Sequence, residues 1–320
     1  MLTFHLPNGK VRGQAPSHTR QRGVAIILAM SVVALAAMAA TAIMVAHSAW
    51  ARQVELARDH AQARALADAG IDWARAVLHD DRRLGTVDHP GEPWALRLPP
   101  MPVENGELTG HIEDQQGLFN LNNLVRDGKT DAVQLAAFRR LLALLDLPQE
   151  LAPALADWLD ADDSAQPQGG AEDAYYLTLQ PPHRAANRAL LDVAELARVR
   201  GFTLEARARL RPFVAALPRA TPLNVNSAPP EVLAAVLEGL DIDGARDLAA
   251  QRARAYFRDS ADFLGRLPRH ASAPSAGISV GSDFFLASVR VGTGSARARG
   301  AALLERHAIG WPVIVWYKAL

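Results

Sequence analysis

The sequence predicts an α+β protein: a long N-terminal helix, a small antiparallel sheet and a large all-α insertion between the strands of that sheet. Three observations carry this. An uncharged apolar run from Val24 to Ala46 continues without a break into the helix-forming stretch "ARQVELARDHAQARALADAGIDWARAVLHDD". Strand-like patterns occur at two separated places, "WALRLPPMPVENGELTGHIEDQQG" and the final segment from "DFFLASVRV" onward. Between them, helical periodicity dominates. Strands on either side of a helical block describe a sheet domain that carries an insertion.

The 320 residues suffice for two or three domains. Lys plus Arg and Asp plus Glu both total 34, so no global charge points to nucleic acid or an anionic surface. There is no cysteine, which excludes disulfides, thiolate metal sites and cysteine nucleophiles.

The N-terminal run is long enough to span a bilayer, for which about 20 apolar residues suffice. Lys10, Arg12, Arg20 and Arg22 precede it with no acid among them. The positive-inside rule then leaves the N-terminus in the cytoplasm and everything after about residue 50 outside. A cleavable secretory signal has a shorter apolar core, about 7–15 residues, ending at a small-residue cleavage site; this run is too long. Leu66, Ala69, Trp73, Ala76 and Val77 recur at helical spacing beyond it, so one helix is expected from about Val24 to His79, roughly 80 Å at 1.5 Å per residue. The simplest alternative is a plain single-pass anchor followed by a surface helix.

Asn105-Gly106 is a strong hairpin signal, and Pro99, Pro100 and Pro102 push the first strand to an edge. In "DAVQLAAFRRLLALLDLP" the apolar positions Val133, Phe138, Leu141, Leu142 and Leu145 form the expected core face of a helix. Near the C-terminus Phe285, Ala287, Val289 and Val291 alternate onto one face of a strand, and a β-branched run closes with Val313 to Val315.

A basic leader ending in Gly23, followed by an unbroken apolar helix that becomes amphipathic, resembles type IV pilins and type II secretion pseudopilins. The resemblance implies that prepilin peptidase cuts between Gly23 and Val24 on the cytoplasmic face and methylates the new N-terminus, so the anchor is retained. Major pilins carry a glutamate at the fifth mature position, where this chain has Leu28. A carboxylate within the membrane is costly unless paired, and in the family it pairs with the terminal amine of the subunit above. A subunit with nothing above needs no such glutamate, so Leu28 marks a tip position. "GHIEDQQGLFNLNNLV", "ALADWLDADDSAQPQGGAEDAYY", "NRALLDVAELARVRGF" and "TPLNVNSAPPEVLAAVLEGL" follow in the order of the type II secretion minor pseudopilin K family, which this chain resembles.

Together these stretches imply a pilin-like fold with two SAM-like helical modules, the second a helix-hairpin-helix. The expected divisions are a leader over 1–23, a membrane span over 24–46, helix and first strands over 47–117, helical domains over 118–220 and 221–275, and C-terminal strands over 276–320. Implied partners are the I- and J-type minor pseudopilins, the pseudopilus, prepilin peptidase and the inner membrane, with no nucleic acid. The implied location is a single-pass inner-membrane protein with a periplasmic C-terminal domain.

Asp157, Asp160, Asp162, Asp163, Glu172 and Asp173 crowd one loop. Hard cations take six to eight oxygens from carboxylates, carbonyls and water, and Gly169-Gly170 lets the backbone curl. Fixed EF-hand spacing is absent, and the plain alternative is an exposed acidic loop. The family resemblance implies structural calcium here, with Asp160, Asp162, Glu172 and Asp173 as the expected ligands.

A magnesium nuclease or carboxylate-pair hydrolase would need a cleft and a positioned base, and nothing nearby in the sequence supplies one. "GISVG" matches the G-x-S-x-G pattern, but a strand-like segment follows it, whereas a nucleophile elbow needs a strand-to-helix turn; Asp283 and His307 would have to serve as its partners. "GTGSARARG" lacks the Lys-Ser/Thr ending of a phosphate loop and reads as a hairpin loop.

The principal rival is DNA binding through "NVNSAPPEVLAAVLEGLDIDGARDLAAQRARAYF". Here Asn226 or Ser227 caps a helix that tolerates Pro229 and Pro230 in its first turn. Arg246, Arg252 and Arg254 supply basic surface, whereas Asp241 and Asp243 at the turn would repel phosphate.

Overall fold

The computed structural model describes residues 19–274 and 277–319. Most of the expected leader, and the expected boundary between 275 and 276, lie outside the described residues. The chain divides into two units, residues 1–58 and 59–320. Helix α1 (Thr19–Leu84) starts earlier and ends later than its sequence pattern suggests. It forms all that is described of the first unit, where every side chain from Gly23 to Arg58 is exposed.

In the second unit α1 lies on an antiparallel sheet. Strands β1 (Leu98–Val103) and β2 (Gly106–Asp114) form the expected hairpin, with Asn105 at φ +59° in its turn. The insertion follows. Its first part holds β3 (Phe119–Asn120), β4 (Val125–Arg126), β5 (Lys129–Thr130), α2 (Ala132–Leu144), α3 (Leu151–Leu159), α4 (Asp173–Tyr176), α5 (Leu204–Leu210) and β6 (Val214–Ala215). Its second part holds β7 (Leu223–Asn224), α6 (Pro230–Val236), α7 (Ile242–Arg254), α8 (Ser260–Arg266) and β8 (Ile278–Ser279). The chain then returns through β9 (Phe284–Thr293), β10 (Ala296–Glu305) and β11 (Val313–Ala319).

The main sheet has the order β1-β2-β9-β10-β11. The insertion therefore leaves after β2 and returns into β9, which lies beside it. The proline-bearing β1 is an edge strand, as its missing N–H groups require.

Alternation divides the sheet's side chains between two faces. Phe285, Ala287, Val289, Val291, Ala302 and Leu304 pack with Ala63, Ala67, Ile71, Ala74 and Leu78 of α1. The helical stripe read from sequence holds in part: Leu66 and Val77 pack against this cluster, but Trp73 is 48% exposed and Ala69 is exposed, and the fully buried face is built largely of alanine. The physical reason is close approach. A Cβ placed on Gly70 would lie 2.8 Å from Val289 Cγ1, so small residues let the helix settle onto the sheet where a bulky stripe would hold it away. On the second face, Phe284 and Leu303 pack with Ala215 and Leu217 of the insertion.

The two helical parts share one hydrophobic cluster running from Phe119 to Phe263. Within α2, Phe138, Leu141 and Leu142 are fully buried as expected, whereas Val133 is 58% exposed and Leu145 is partly buried. Val133 sits in the first turn of α2, where Asp131 caps the helix by accepting from the N–H groups of Val133 and Gln134.

Polar side chains hold the neck of the insertion. The Asp114 carboxylate accepts from the Gln116 N–H at 2.8 Å, Asn224 Nδ2 at 2.9 Å and Ser282 Oγ at 2.8 Å, and also from Ser227 Oγ. Burial raises the pKa of Asp114, and the hydrogen bonds from Ser227 and Ser282 oppose the shift. One carboxylate thus ties the end of β2 to the start of the second helical part and to the entry into β9. Asn226 and Ser227 do not cap α6, whose N-cap is Pro229. The helix starts later than expected, and these side chains are used elsewhere: Asn226 exchanges two hydrogen bonds with the backbone of Phe257, and Ser227 joins Asp114.

Candidate functional site

Gly23 and Val24 both lie within α1, and Val24 and Leu28 are 65% and 66% exposed. The segment is long and apolar enough to cross a membrane, and none of its most apolar window is buried. Its hydroxyls are satisfied inside the helix: Ser31 Oγ donates to Ile27 O at 2.9 Å and Thr41 Oγ1 to Ala37 O at 2.8 Å. Such internal pairing is what a hydrocarbon surrounding demands.

The acidic loop connects α3 to α4. Asp160 follows the last residue of α3 and Glu172 directly precedes α4, so both helix ends present carboxylates to the loop. Asp160 and Glu172 are each only 4% exposed, and Asp157, within α3, is fully buried. Asp157 Oδ2 accepts from the Gln166 N–H at 3.0 Å, and Asp160 Oδ2 accepts from Thr130 Oγ1 at 3.1 Å. Their other oxygens, and both oxygens of Glu172, have no hydrogen-bond partner among the described residues. Burial raises all three pKa values, Asp160 to about 6 and Glu172 to about 8, and the neighbouring carboxylates push each further in the same direction.

These orphaned buried oxygens have the chemistry of hard-cation ligands, which are oxygens from carboxylates, carbonyls and water, but they do not converge as a three-carboxylate group. The other two expected ligands are placed differently. Asp162 is exposed and accepts from the Ser164 N–H at 2.8 Å. Asp173 accepts from the Ala185 N–H at 3.0 Å and faces Arg184 at 3.4 Å. Asp157 is absent from the expected set. Its signal in the sequence is being the one charged residue of the apolar helix "LAPALADWL".

Among the described residues, the carboxylates whose oxygens converge within 4.8 Å of one another are Asp81, Asp88 and Glu92, not those of the acidic loop. There the chain supplies its own cation. The Arg306 side chain, 1% exposed, donates to Asp81 Oδ2 at 2.6 Å, to Asp88, and to the Ser282 carbonyl at 2.8 Å. Its guanidinium also lies over the Phe285 ring at 4.6 Å.

The helical hairpin between α6 and α7 is closed by the chain itself. Glu238 and Ser272 exchange backbone hydrogen bonds at 2.9 and 2.8 Å. Gly239 has φ +78°, and a Cβ there would lie 2.4 Å from the His270 carbonyl oxygen. Asp241 caps α7 through the Gly244 N–H at 2.8 Å. Arg252 turns inward to the Val225 carbonyl at 2.7 Å, with burial lowering its pKa to about 10, and Arg246 pairs with Asp243 at 2.9 Å. Asp241 and Asp243 at the turn would oppose a phosphate backbone, while Arg254 remains exposed.

"GISVG" contains the short strand β8, parallel to β7, and Ser279 Oγ donates to the Gly281 carbonyl at 2.7 Å. Asp283 is engaged by Arg219 at 2.8 Å and His307 is exposed. No nucleophile elbow forms. "GTGSARARG" forms the β9–β10 hairpin.

A long apolar helix whose later turns back a small antiparallel sheet defines the pilin-like class, here carrying a helical insertion between two strands. The comparisons with known proteins agree. Residues 117–219 and 223–281 match two family domains, both described as type II secretion system protein K. The type II secretion system protein K of Pseudomonas aeruginosa is 38% identical over 89% of this chain and 89% of its own length. That of Klebsiella pneumoniae is 31% identical over 90% of this chain and 93% of its own. The crystal structure of the GspK-GspI-GspJ complex from enterotoxigenic Escherichia coli shares the fold, with a TM-score of 0.74, 24% identity, and coverage of 83% of this chain and 99% of that one. The chain belongs to the type II secretion system protein K family, and is a pseudopilin of protein secretion with an apolar N-terminal anchor helix.

Proposed function

We propose that this chain is a non-enzymatic minor pseudopilin at the tip of the type II secretion pseudopilus, where it primes assembly for the export of folded proteins across the outer membrane. In this reading prepilin peptidase cleaves between Gly23 and Val24 and methylates Val24. The helix stays in the inner membrane with its N-terminus in the cytoplasm, and the second unit stands in the periplasm. I- and J-type minor pseudopilins are its partners, just as GspI and GspJ accompany GspK in the similar solved complex.

The observation that carries the reading is Leu28. A helix of this family with an apolar residue at the fifth position after its glycine has no membrane carboxylate to pair with a subunit above. The insertion supports the same position, since a bulky head can cap a filament but would obstruct further stacking. The orphaned carboxylates support structural calcium held by Asp157, Asp160 and Glu172; Asp162 sits near enough to raise the pKa of each. Bound there, the ion would neutralise the loop and join the ends of α3 and α4.

Detergent extraction of the full chain expressed with I- and J-type subunits tests the tip reading. The expected result is co-purification of the three, with loss of pseudopilus assembly when this chain is deleted. Assembly unchanged by the deletion would overturn it.

A further inference from the structure

The second face of the sheet is covered over only half its length. Toward the insertion its charges are matched: Lys318 meets Asp192, and Arg219 meets Asp283 at 2.8 Å and Glu305 at 3.3 Å. Toward the β9–β10 turn they are not. Arg290 on β9 stands directly opposite Arg299 on β10, and Arg297 lies two residues along the same face. All three are exposed, and none makes an ion pair or hydrogen bond among the described residues. Glu107, on the same face two positions beyond Thr109, which pairs with Arg290, comes within ion-pair range of none of them.

Like charges directly opposite in an antiparallel pair oppose folding, so the isolated head carries a repulsion that an anion between Arg290 and Arg299 would relieve. The positions around them are Thr109, Ser288, Gly292 and Ala301, with no large apolar side chain among them. A partner would therefore be gripped by charge. Guanidinium forks suit planar carboxylates, which accept two parallel N–H bonds.

We infer that this half of the sheet face, built on Arg290, Arg297 and Arg299, docks a carboxylate-bearing surface of a neighbouring subunit in the assembly. The inference rests on the tip-complex reading and adds the surface and the chemistry to it. Neutralising these arginines leaves the fold intact, since they bear on no core residue, and weakens the docked complex.

The test uses the full chain, co-purified in detergent with I- and J-type subunits over a salt series, as wild type, Arg290→Gln/Arg299→Gln and Arg290→Glu/Arg299→Glu. The glutamine pair removes the repulsion and cannot unfold the sheet by creating a new one. Partner retention is expected to fall about tenfold or more in both variants, with wild-type retention weakening as salt rises and the melting temperature of the chain alone slightly raised in the glutamine pair. Equal retention by wild type and variants overturns the inference while leaving the tip reading standing. Absence of retention even by wild type overturns both. A third result would also overturn it: unchanged partner retention, combined with an arginine-dependent rise in melting temperature when phosphatidylglycerol is added to phosphatidylethanolamine bilayers holding the full chain, would assign the patch to lipid.

Discussion

Two groups of buried carboxylates in this protein meet opposite fates. Asp81 and Asp88 close around Arg306, so the chain neutralises them itself. Burial still raises Asp81 to about 6, with Glu92 adding to the shift and Arg306 opposing it. Asp157, Asp160 and Glu172 have no cationic side chain within ion-pair distance among the described residues, and Glu172 rises to about 8. The difference separates carboxylates that the chain neutralises itself from carboxylates for which the proposed calcium would have to do so. The first group pins the end of α1 to the strands that return from the insertion; the second spans α3 and the loop that follows it, with no cysteine to staple them.

The largest expected effect lies in the self-sufficient group. Arg306→Met leaves Asp81 and Asp88 buried without their partner and is expected to cost about 3–5 kcal/mol, read by urea unfolding. Added calcium should not restore the loss. Recovery by calcium would mean that the two groups are not distinct in kind.

Next comes the ion itself. A cation bound to the folded state alone at a hundredfold excess over its Kd stabilises by about 2.7 kcal/mol. Calcium should therefore raise the melting temperature by several degrees, and a chelator should reverse the gain. Glu172→Gln should abolish the response and raise the melting temperature measured in chelator, because the charged form of Glu172 is the disfavoured one. A full calcium response in that variant would remove Glu172 from the site.

The pH dependence in chelator follows from the sign of the shift. The folded state holds the Glu172 proton up to about 8, whereas the unfolded chain releases it near its ordinary 4.5. Between those values the native state binds more protons, so stability falls as pH rises through the window. Calcium prefers the ionised form, so its gain should be larger at pH 8 than at pH 5.5. A gain that is equal at both would contradict the assignment.

The smallest effect is expected at Asp173, whose carboxylate already receives the Ala185 N–H. Asp173→Asn keeps an acceptor there and should change stability by about 0.5 kcal/mol or less, with the calcium response intact. Loss of the response in titration calorimetry would return Asp173 to the ligand set.

Much of the fold is legible in the sequence because its signals are local. Asn105-Gly106 sets a turn, prolines confine β1 to an edge, and alternation from Phe285 to Val291 matches the face that packs on α1. Only part of the helical stripe is legible, because hydrophobicity favours Trp73 over alanine, whereas the constraint is closeness to Val289, a long-range contact. Asp160 and Glu172 can be picked out by crowding of acids. Asp157 belongs to the same crowd of acids but lies inside α3, and the Ala185 N–H beside Asp173 is a contact that no local pattern shows. Arg306 carries no local signal at all, since its carboxylate partners lie more than 200 residues away in sequence.

The central proposal is that the apolar helix is retained in the membrane and that the processed chain begins at Val24. Mass spectrometry of the N-terminus of the membrane-extracted protein tests it most directly. A methylated Val24 is the predicted result; an intact Met1, or a terminus near Ala49, would contradict it.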